Sequence, residues 1–345
     1  MTLNRRLSMF LTRATISGLS LEPLCLCCLT NSEGHSHVVK HSQTHLIGQC
    51  KLPYFSMKIA SSSPVCSRAD DGGSYPGIMR TRSGGVARNH ADALTRLGCE
   101  TKLISAIGND RYGETLMSMC SHMDMSSILR VDGVQTATYL SVAVKGNLLY
   151  GVTAIEPIVA KLTSEVIASK EEFIAEADAV VVDGNLTTEA LKTAVALAHK
   201  HQKFIWFDPA DQSKVEKIFA AQSFDLIHAV SPNANEFNKF MGFLGGQYPS
   251  TLSLIAETRG PEGVTWWQKE GDEFTKTRSS APIKPELVLS VSGAGDCLNS
   301  GYLAAFLAGF SPETCYEVAN TCARLSLQSM ESVPSTITPD CLDEA

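Results

Sequence analysis

The stretch SVSGAGDCLNSGYLAAFLAG, residues 290–309, joins a glycine-rich turn to an apolar segment. The residues before the turn, ELVLSVS (286–292), read as a strand, and Leu298, Tyr302 and Phe306 recur after it at helical spacing. The glycines therefore lie at a strand-to-helix junction. The first backbone N–H groups of a helix lack partners there and the helix dipole adds positive charge, so the junction suits a phosphate or a developing oxyanion.

Asp296 directly follows Gly293, Ala294 and Gly295 in this turn. A carboxylate beside an anion pocket can take the proton from a hydroxyl group as that group attacks a phosphoryl group. The alternative is an ordinary first-turn aspartate stabilised by the helix dipole, with the glycines serving a tight turn. The pattern makes Asp296 a candidate catalytic base and the three preceding amides candidate anion donors.

From about Gly77 onward, short apolar runs alternate with helical periodicities. ADAVVVDGN (177–185), KFIWFDPA (203–210) and DLIHAVSPN (225–233) have the apolar character of strands buried on both faces, and residues 188–201 between the first two read as a helix. Such alternation is typical of a parallel sheet covered by helices, so we predict an α/β domain.

Two segments have the pattern of β-hairpins instead. Residues 136–155, TATYLSVAVKGNLLYGVTAI, place two β-rich arms around Lys145-Gly146-Asn147, and residues 264–277, VTWWQKEGDEFTKT, repeat the pattern. The first hairpin lacks a crossover helix, so we expect it in a small β lid over the main sheet. We expect the second nearer the sheet edge.

Polar residues follow several of the other predicted turns. RSGGVARNHADALTRLG (82–98) is a second Gly-Gly turn leading into a helix over 87–97 that ends at Gly98, and Asn89 lies in its first turns. Asp110 follows a predicted strand. Ligands of open α/β sheets bind at strand ends, where amides and carboxylates can pair with sugar hydroxyls. Each of these residues also fits a turn or a helix cap.

The segment SPNANEF (231–237) places Asn233 and Glu236 just after a predicted strand. A carboxylate at that position can organise Mg²⁺, directly or through water. We therefore treat these two residues as candidate metal-site residues.

In this order, the motifs resemble the ribokinase-like, PfkB-type sugar and nucleoside kinases from about Met57 to Thr338. Within that family they are most similar to the subgroup that phosphorylates pseudouridine. The resemblance implies a three-layer α/β/α fold with a mostly parallel central sheet and a small β lid. It also implies ATP- and Mg²⁺-dependent phosphorylation of a nucleoside or sugar hydroxyl, with the 5′-hydroxyl of pseudouridine as the best match.

The resemblance also implies roles for single positions. These are Asp296 as the base with the amides of Gly293, Ala294 and Gly295 as the anion hole; Asn233 and Glu236 for magnesium and phosphate; Gly84, Gly85, Asn89 and Asp110 for the substrate; and Thr258, Gly260, Gly263, Asn320 and Ala323 for the nucleotide. The segment around the last two, NTCARLSL, also reads simply as a packed helix.

Three departures from the family pattern put full activity in doubt. We find no convincing first strand followed by a sugar-gripping acid, because Asp70 and Asp71 come late, in a loop-like stretch. Asn233 and Thr258 are only 25 positions apart around the turn-like LGGQYPST, which predicts a trimmed nucleotide side. Ser290 stands where many relatives carry an acid linked to a monovalent cation.

Several alternatives to a pseudouridine kinase therefore stay open. One is a catalytically impaired kinase-fold protein that binds a nucleoside or a partner protein. Others are kinases of the same family acting on adenosine, ribose or fructose. A dinucleotide-dependent oxidoreductase is disfavoured, because no Gly-x-Gly-x-x-Gly turn follows an early strand.

The first 56 residues differ in kind from the rest. Arg5, Arg6 and Arg13 occur with no acid before Glu22, a composition that fits an organelle transit peptide and also a disordered tail. A group of soft metal ligands follows at spacings of no familiar zinc module: Cys25, Cys27, Cys28, His35, His37, His41 and His45. We place the domain boundary at residues 56 and 57.

The composition limits the classes of partner and the cellular compartments that we expect for this protein. The 345-residue chain has 29 Lys and Arg against 36 Asp and Glu, a net charge of -7, which argues against a nucleic-acid binder. No apolar run reaches the roughly 18 residues that span a bilayer. Eleven scattered cysteines indicate a reducing compartment, so we expect the cytoplasm, with organelle targeting as the alternative. The open edges of a β lid predict a homodimer through the lid.

Overall fold

The structure is a computed structural model, and it describes residues 43–47, 51–59, 77–144 and 147–343. Its strands are β1 (Gln43–Ile47), β2 (Lys51–Ile59), β3 (Gly77–Gly84), β4 (Glu100–Gly108), β5 (Ile128–Val131), β6 (Thr138–Val144), β7 (Asn147–Ala154), β8 (Ala179–Asp183), β9 (Phe204–Asp208), β10 (Ala229–Val230), β11 (Leu254–Thr258), β12 (Val264–Glu270) and β13 (Glu273–Ser279).

The helices lie between these strands along the chain or follow the last of them. They are α1 (Val86–Arg96), α2 (Arg111–Met119), α3 (Glu156–Val159), α4 (Ser164–Ala168), α5 (Glu171–Glu176), α6 (Thr188–Lys200), α7 (Glu216–Ala220), α8 (Ala234–Leu244), α9 (Ala294–Leu307), α10 (Pro312–Leu327) and α11 (Asp340–Asp343). The predicted helix over 87–97 is confirmed as α1, and Gly98 behind it has a φ of 88°, as a left-handed C-terminal glycine should.

Nine strands form the main sheet in the order β13-β12-β11-β10-β9-β8-β1-β4-β5. The strands from β11 to β5 pair in parallel, whereas β12 and β13 form an antiparallel hairpin at the edge. The prediction of a mostly parallel sheet with an edge hairpin at 264–277 is confirmed.

Helices cover both faces of this sheet. Successive side chains of a strand point to opposite faces, so Leu46 and Val181 pack with apolar residues of α1, α9 and α10, while Ile47 and Val182 pack with those of α6 and α8. The result is the predicted three-layer α/β/α arrangement. Its carboxyl-terminal strand ends carry the site described below.

An inner position of the sheet, between β8 and β4, is filled by β1. Its residues pair in parallel with Glu100–Ile104 of β4 on one side and with Ala179–Val182 of β8 on the other. The expectation of a missing inner strand is therefore wrong. The strand QTHLI has only two apolar residues after three polar ones, too short a pattern to recognise, although Thr44 and His45 are fully buried.

A second sheet of four strands, β3-β2-β6-β7, forms the predicted lid. The hairpin predicted for residues 136–155 is present as β6 and β7, which pair in antiparallel fashion, and β2 lies parallel to β6. Strand β2 crosses the boundary that the sequence placed at residue 56. With β1, it puts residues before 57 into both sheets.

The segment ELVLSVS (286–292) is not the strand that its apolar pattern predicted. Apart from one turn of 3₁₀-helix at Pro285–Leu287 it is irregular, and the amides of Leu289 and Ser290 both point to the carbonyl oxygen of Leu327. Its apolar side chains face outward, with Leu289 60% and Val291 76% exposed. An apolar segment without a neighbouring strand cannot form a ladder, whatever its β-propensity.

The connection between Asn233 and Thr258 holds a helix of ordinary length. Helix α8 has 11 residues and ends at Gly245, which is left-handed with a φ of 55°. A short loop then leads directly into β11. The connection therefore contains a full helix, and the expectation of a trimmed connection without one is wrong.

Several sequence predictions fall on residues outside the described ranges. These include the arginines and cysteines of residues 1–42, the Asp70–Asp71 loop and the lid turn at residues 145–146. His45, the last histidine of the candidate zinc cluster, is a buried residue of β1. Among the helices of the described part, none is long and apolar enough to cross a membrane.

His45 makes the stability of the fold sensitive to acid. Its side chain is 0% exposed, and burial, followed by the charge of Lys102, lowers its pKa to about 4. The unfolded chain has a histidine pKa near 6.5, so stability is full above that pH and falls as pH drops towards 4. Between pH 7.5 and 5 the expected loss from this group is about 2 kcal/mol in the free energy of unfolding.

Urea unfolding of the His45→Leu variant at the two pH values tests this. Between the two pH values, the free energy of unfolding of the variant should fall by about 2 kcal/mol less than that of the wild type, because Leu cannot take up a proton. The exposed His199, changed to Gln, is the matched control and should keep the full wild-type loss. Equal pH dependence in wild type and His45→Leu would contradict the assignment.

Candidate active site

Asp296 lies in the first turn of α9, behind a glycine that the backbone requires. Gly293 is the N-cap, with a φ of 84°, and an added Cβ would lie 2.2 Å from the carbonyl oxygen of Ser332. Gly295, in contrast, is exposed and has open space at its Cβ position. The turn therefore needs Gly293 for its shape, and Gly295 leaves room for a ligand beside the helix terminus.

The predicted anion donors lie at this terminus. The early amides of a helix have no intrahelical partner, and they point along the axis toward any bound anion. The amide of Ala294 makes a long contact of 3.4 Å with the carbonyl oxygen of Val291. Of the three predicted donors, Ala294 is thus partly engaged by the turn itself.

Asn89 and Asp296, predicted on separate grounds, are in direct contact. Nδ2 of Asn89 on α1 donates to Oδ2 of Asp296 at 2.5 Å. The guanidinium of Arg88 donates to Oδ1 of Asn89 and, at 2.6 Å, to Asp92. Because Arg88 occupies the amide oxygen, the Asn89 NH₂ group is held toward Asp296.

The environment of Asp296 favours a base that titrates near neutrality. Its side chain is only 16% exposed, and this burial raises its pKa to about 6, against the opposing effect of His90. The neighbouring carboxylate of Asp208 raises it further. A base with a pKa near the working pH is the kind that proton transfer requires.

Two acids that the motifs did not single out lie at adjacent strand ends. Asp183 and Asp208 are the last residues of β8 and β9 and pair in register. Asp183 accepts from the amide of Ala87 at 3.2 Å, which ties the start of α1 to the sheet. Both acids directly follow buried apolar runs, so the strand-end rule applied to every strand could have found them.

Asn233 and Glu236 form a capping box at the start of α8. The Asn233 side chain accepts from the amide of Glu236 at 3.0 Å, and the Glu236 carboxylate accepts from the amide of Asn233 at 2.7 Å. Burial raises the pKa of Glu236 to about 7, and the charges of Asp208, Asp211 and Asp296 contribute. The motif thus caps α8, and its Glu236 also belongs to a cluster of acidic residues with Asp208, Asp211 and Asp296.

The cluster of Glu236 and the neighbouring aspartates suits a divalent cation. Carboxylate oxygens are the ligands that Mg²⁺ prefers, and a dication would offset the repulsion that raises the Glu236 pKa. Glu236 is only 4% exposed, so a cation held there would lie at the inner side of the site. The donor set therefore suits magnesium.

The predicted nucleotide loop lies beside the start of α8. Thr258 ends β11 and forms a parallel bridge with Asn233. Gly263 has a φ of 87°, and an added Cβ would lie 2.0 Å from the carbonyl oxygen of Ser279. Gly260 is also left-handed, with a φ of 55°. The structure thus brings Thr258 and its glycines next to Asn233.

Asn320 and Ala323 lie on α10, which packs closely along α9. The close approach depends on Gly301, where an added Cβ would lie 2.9 Å from Sγ of Cys322. Ala323 is 3% exposed and belongs to the core, as the packed-helix interpretation predicts. Oδ1 of Asn320 is buried without a hydrogen-bond partner, which leaves it available to a ligand.

Asp110 has a structural role. It is the N-cap of α2: its Oδ1 accepts from the amide of Gly113 at 2.8 Å and from the hydroxyl of Thr136 at 2.7 Å. Its Oδ2 accepts from the amide of Thr136 at 2.8 Å. With both oxygens used in holding the lid connection to α2, the predicted sugar contact has no support from this geometry.

Gly84 and Gly85 join the lid to α1. Gly84 ends β3, and Gly85, with a φ of 102°, caps α1. A single residue therefore separates a lid strand from the helix that carries Asn89. This places the two predicted substrate glycines in the same connection as the asparagine.

Comparison with known proteins identifies the family. The model of the pfkB family of carbohydrate kinases matches residues 57–339. The chain belongs to the pfkB family. It is 30% identical to pseudouridine kinase of Escherichia coli over 268 residues, which cover 74% of this chain and 82% of that protein. It is 25% identical to pseudouridine kinase of Arabidopsis thaliana over 340 residues, 79% and 88% of the two chains.

Solved structures of other kinases share the fold. A putative ribokinase II from Escherichia coli, in complex with ATP and magnesium, superimposes with a TM-score of 0.69 at 19% identity, over 88% of this chain and 98% of that one. The ribokinase-like fold is thereby confirmed. As a pfkB kinase, the protein is a phosphotransferase that acts on the hydroxyl group of a sugar or nucleoside.

Proposed function

We propose that this kinase transfers the γ-phosphoryl group of ATP to the 5′-hydroxyl of pseudouridine in the presence of Mg²⁺. The observation that carries the proposal is Asp296, a largely buried carboxylate in the first turn of α9, held by Asn89. The similarity to two pseudouridine kinases supports the substrate. The neighbour in complex with ATP and magnesium supports the donor and the metal.

In this mechanism Asp296 takes the proton of the 5′-hydroxyl as its oxygen attacks the γ-phosphorus. The bond between that phosphorus and the bridging oxygen of ADP breaks as the new one forms. The amides of Gly293, Ala294 and Gly295 donate to the oxygens of the transferring group, where negative charge is concentrated. Asn89 orients the carboxylate toward the attacking hydroxyl.

The remaining residues hold the phosphate donor. Asn233 and Glu236 would hold magnesium, which neutralises phosphate charge when bound. Thr258, Gly260 and Gly263 line the nucleotide loop, where the glycines let the backbone approach the ligand. Asn320 offers its unpartnered amide oxygen to the adenine side, while Ala323 serves packing.

A second candidate is a kinase-fold protein with a weakened sugar grip. Strand β1 ends at Ile47, and the next acids in the chain are Asp70 and Asp71. The family acid that grips the sugar after this strand thus has no direct counterpart. Misplacing a reacting hydroxyl by about 1 Å can cost on the order of 100-fold in rate.

A panel of acceptors separates these possibilities. Among pseudouridine, uridine, adenosine, ribose and fructose, we expect kcat/KM to be highest for pseudouridine. NMR should show that the product is phosphorylated at O5′. A higher value for another acceptor would reassign the substrate within the family. Folded protein that binds ATP but phosphorylates none of them would favour the second candidate.

We also propose that two copies pair through the lid. Met79 on β3 and Val152 on β7 are 63% and 58% exposed, and both strands are edges of the lid sheet. Exposed strand edges with apolar residues favour pairing. Light scattering should give twice the monomer mass of 37.1 kDa, and a purely monomeric species would exclude the pairing.

A further inference from the structure

A buried histidine stands between the catalytic helix and the sheet. His90 on α1 is 1% exposed. Its Nε2 lies 3.3 Å from Oδ2 of Asp208 and 4.0 Å from Oδ1 of Asp296, and its Nδ1 lies 3.0 Å from Oγ of Ser300. Two catalytic-helix residues and one strand-end acid thus surround one imidazole ring.

The groups around the ring favour its charged form. Nε2 faces two carboxylates, which only accept when ionised, so Nε2 carries a proton. Nδ1 lies 3.0 Å from the Ser300 hydroxyl, whose oxygen can accept a hydrogen bond from a protonated Nδ1. A second proton, on Nδ1, makes the ring an imidazolium, and the two nearby carboxylates stabilise its charge.

Asp208 is bound as a carboxylate. Its Oδ2 lies within hydrogen-bond reach of the Ser231 hydroxyl at 3.0 Å and of Nδ2 of Asn299 at 3.5 Å, and its Oδ1 accepts from the amide of Ala210 at 2.9 Å. The indole N–H of Trp206 donates to Ser231, which leaves the Ser231 proton for Asp208. Asp208 thus accepts hydrogen bonds on both oxygens, and its Oδ2 lies 3.3 Å from Nε2 of His90.

We infer that His90 is a positioning residue, a fixed positive charge that holds Asp296 ionised and oriented for proton abstraction. The inference rests on the proposed function only for the role of Asp296 as the base. Its physical basis is that an opposite charge within about 4–6 Å favours the ionised form of a carboxyl group. Nε2 of this ring lies 4.0 Å from Oδ1 of Asp296, within that range.

The carboxylates around the ring all favour its charged form. Burial disfavours the imidazolium, but Asp208 on β9, Asp296 on α9 and Asp183 on β8 together raise the pKa of His90 above its usual value. In return, His90 is the largest influence that lowers the pKa of Asp296 against its burial. Arg88, on the same helix as His90, adds a smaller effect of the same sign.

A bound metal is the competing interpretation of the same atoms. Ligand atoms of His90, Asp208 and Asp296 all lie within 4.8 Å of one another. A metal would need Nε2 deprotonated and would occupy the carboxylate that the base role requires. The Ser231 and Asn299 donors already satisfy Asp208, so the ion pair accounts for the cluster, and zinc binding becomes an outcome of the test.

The first arm of the test is the pH dependence of kcat for His90→Gln. Gln keeps hydrogen-bonding groups but carries no charge, so the acid limb set by Asp296 should move up by about 2 pH units. From a pKa of about 6, that shift lowers kcat roughly tenfold at pH 7, with recovery to near the wild-type value at pH 9. The KM for ATP should stay unchanged.

A matched control is His201→Gln, which removes another histidine–carboxylate pair, the 2.7 Å contact with Glu171 outside the site. Its acid limb should stay in place. An unmoved limb in His90→Gln, or an equal loss at every pH, would overturn the inference, because a merely structural role lowers activity without shifting the limb.

The second arm needs no turnover and so separates this inference from the proposed function. NMR of protein labelled at histidine Cε1 should show a His90 signal, assigned by its loss in His90→Gln, that titrates above 6.5. Asp208→Asn should lower that titration by 1 unit or more. A His90 signal that stays neutral at pH 6, or stoichiometric Zn²⁺ binding by calorimetry that disappears in His90→Gln, would contradict the imidazolium.

Discussion

The Asp296→Asn variant should lose about a thousandfold in kcat for phosphate transfer while keeping its fold and its affinity for ATP. Asn has the shape of Asp but cannot accept the proton of the attacking hydroxyl. Its amide can still meet Asn89 after a flip, so the contact between α1 and α9 survives. Steady-state kinetics, with ATP binding followed by calorimetry, measure the two quantities separately.

The matched control for this variant is Asp272→Asn. Asp272 is an exposed aspartate in the turn between β12 and β13, and the same chemical change there should leave kcat within about twofold of wild type. If Asp296→Asn kept most of its activity, the proton would have to go to another group. The assignment of the base would then be wrong.

Gly293→Ala should damage both activity and stability. The residue has a φ of 84°, and its new Cβ would meet the carbonyl of Ser332 at 2.2 Å, far inside contact distance. Either the turn or the Ser332 backbone must shift, at a cost of about 1–3 kcal/mol in the free energy of unfolding. A displacement of about 1 Å at the anion hole would lower kcat by roughly 100-fold.

Gly295→Ala provides the comparison two residues away. Its added Cβ meets no protein atom within 4 Å, so the free energy of unfolding should stay within about 0.5 kcal/mol of wild type. Chemical denaturation and kcat measurements on the two variants together separate backbone strain from simple loss of a glycine. Equal stability of Gly293→Ala and wild type would show that the turn is not constrained as described.

Much of the fold follows from local sequence signals. The runs around β8 and β9 are apolar and bounded by turns, and α1 ends at a glycine that has the expected left-handed backbone. These elements satisfy propensity, burial and capping together, which makes them recognisable without a structure. The hairpins were recognisable because β-rich arms flank a short turn.

Other elements depend on contacts that a linear pattern does not contain. Strand β1 is defined by its two neighbours, since Thr44 and His45 are polar residues buried by the sheet around them. ELVLSVS has the composition of a strand but no partner strand. In both cases tertiary pairing, rather than propensity, determines the outcome.

Some residues of the candidate site were likewise predictable from the sequence, and others were not. Asp296, Asn89 and Glu236 lie in motifs with recognisable spacing, and the structure places them in one charged cluster. His90 lies one position from Asn89 and carries no motif of its own. Its role depends on contacts with Ser300 of α9 and Asp208 of β9, which form only in the folded chain.

The most direct test of the account is magnesium-dependent transfer from ATP to pseudouridine by the wild-type protein. We expect one pseudouridine 5′-phosphate for each ADP formed, no transfer when magnesium is removed by chelation, and a kcat on the order of 1 s⁻¹ or more, as is typical of kinases. ADP formed without phosphorylated nucleoside, or no transfer from folded protein that binds ATP, would contradict it.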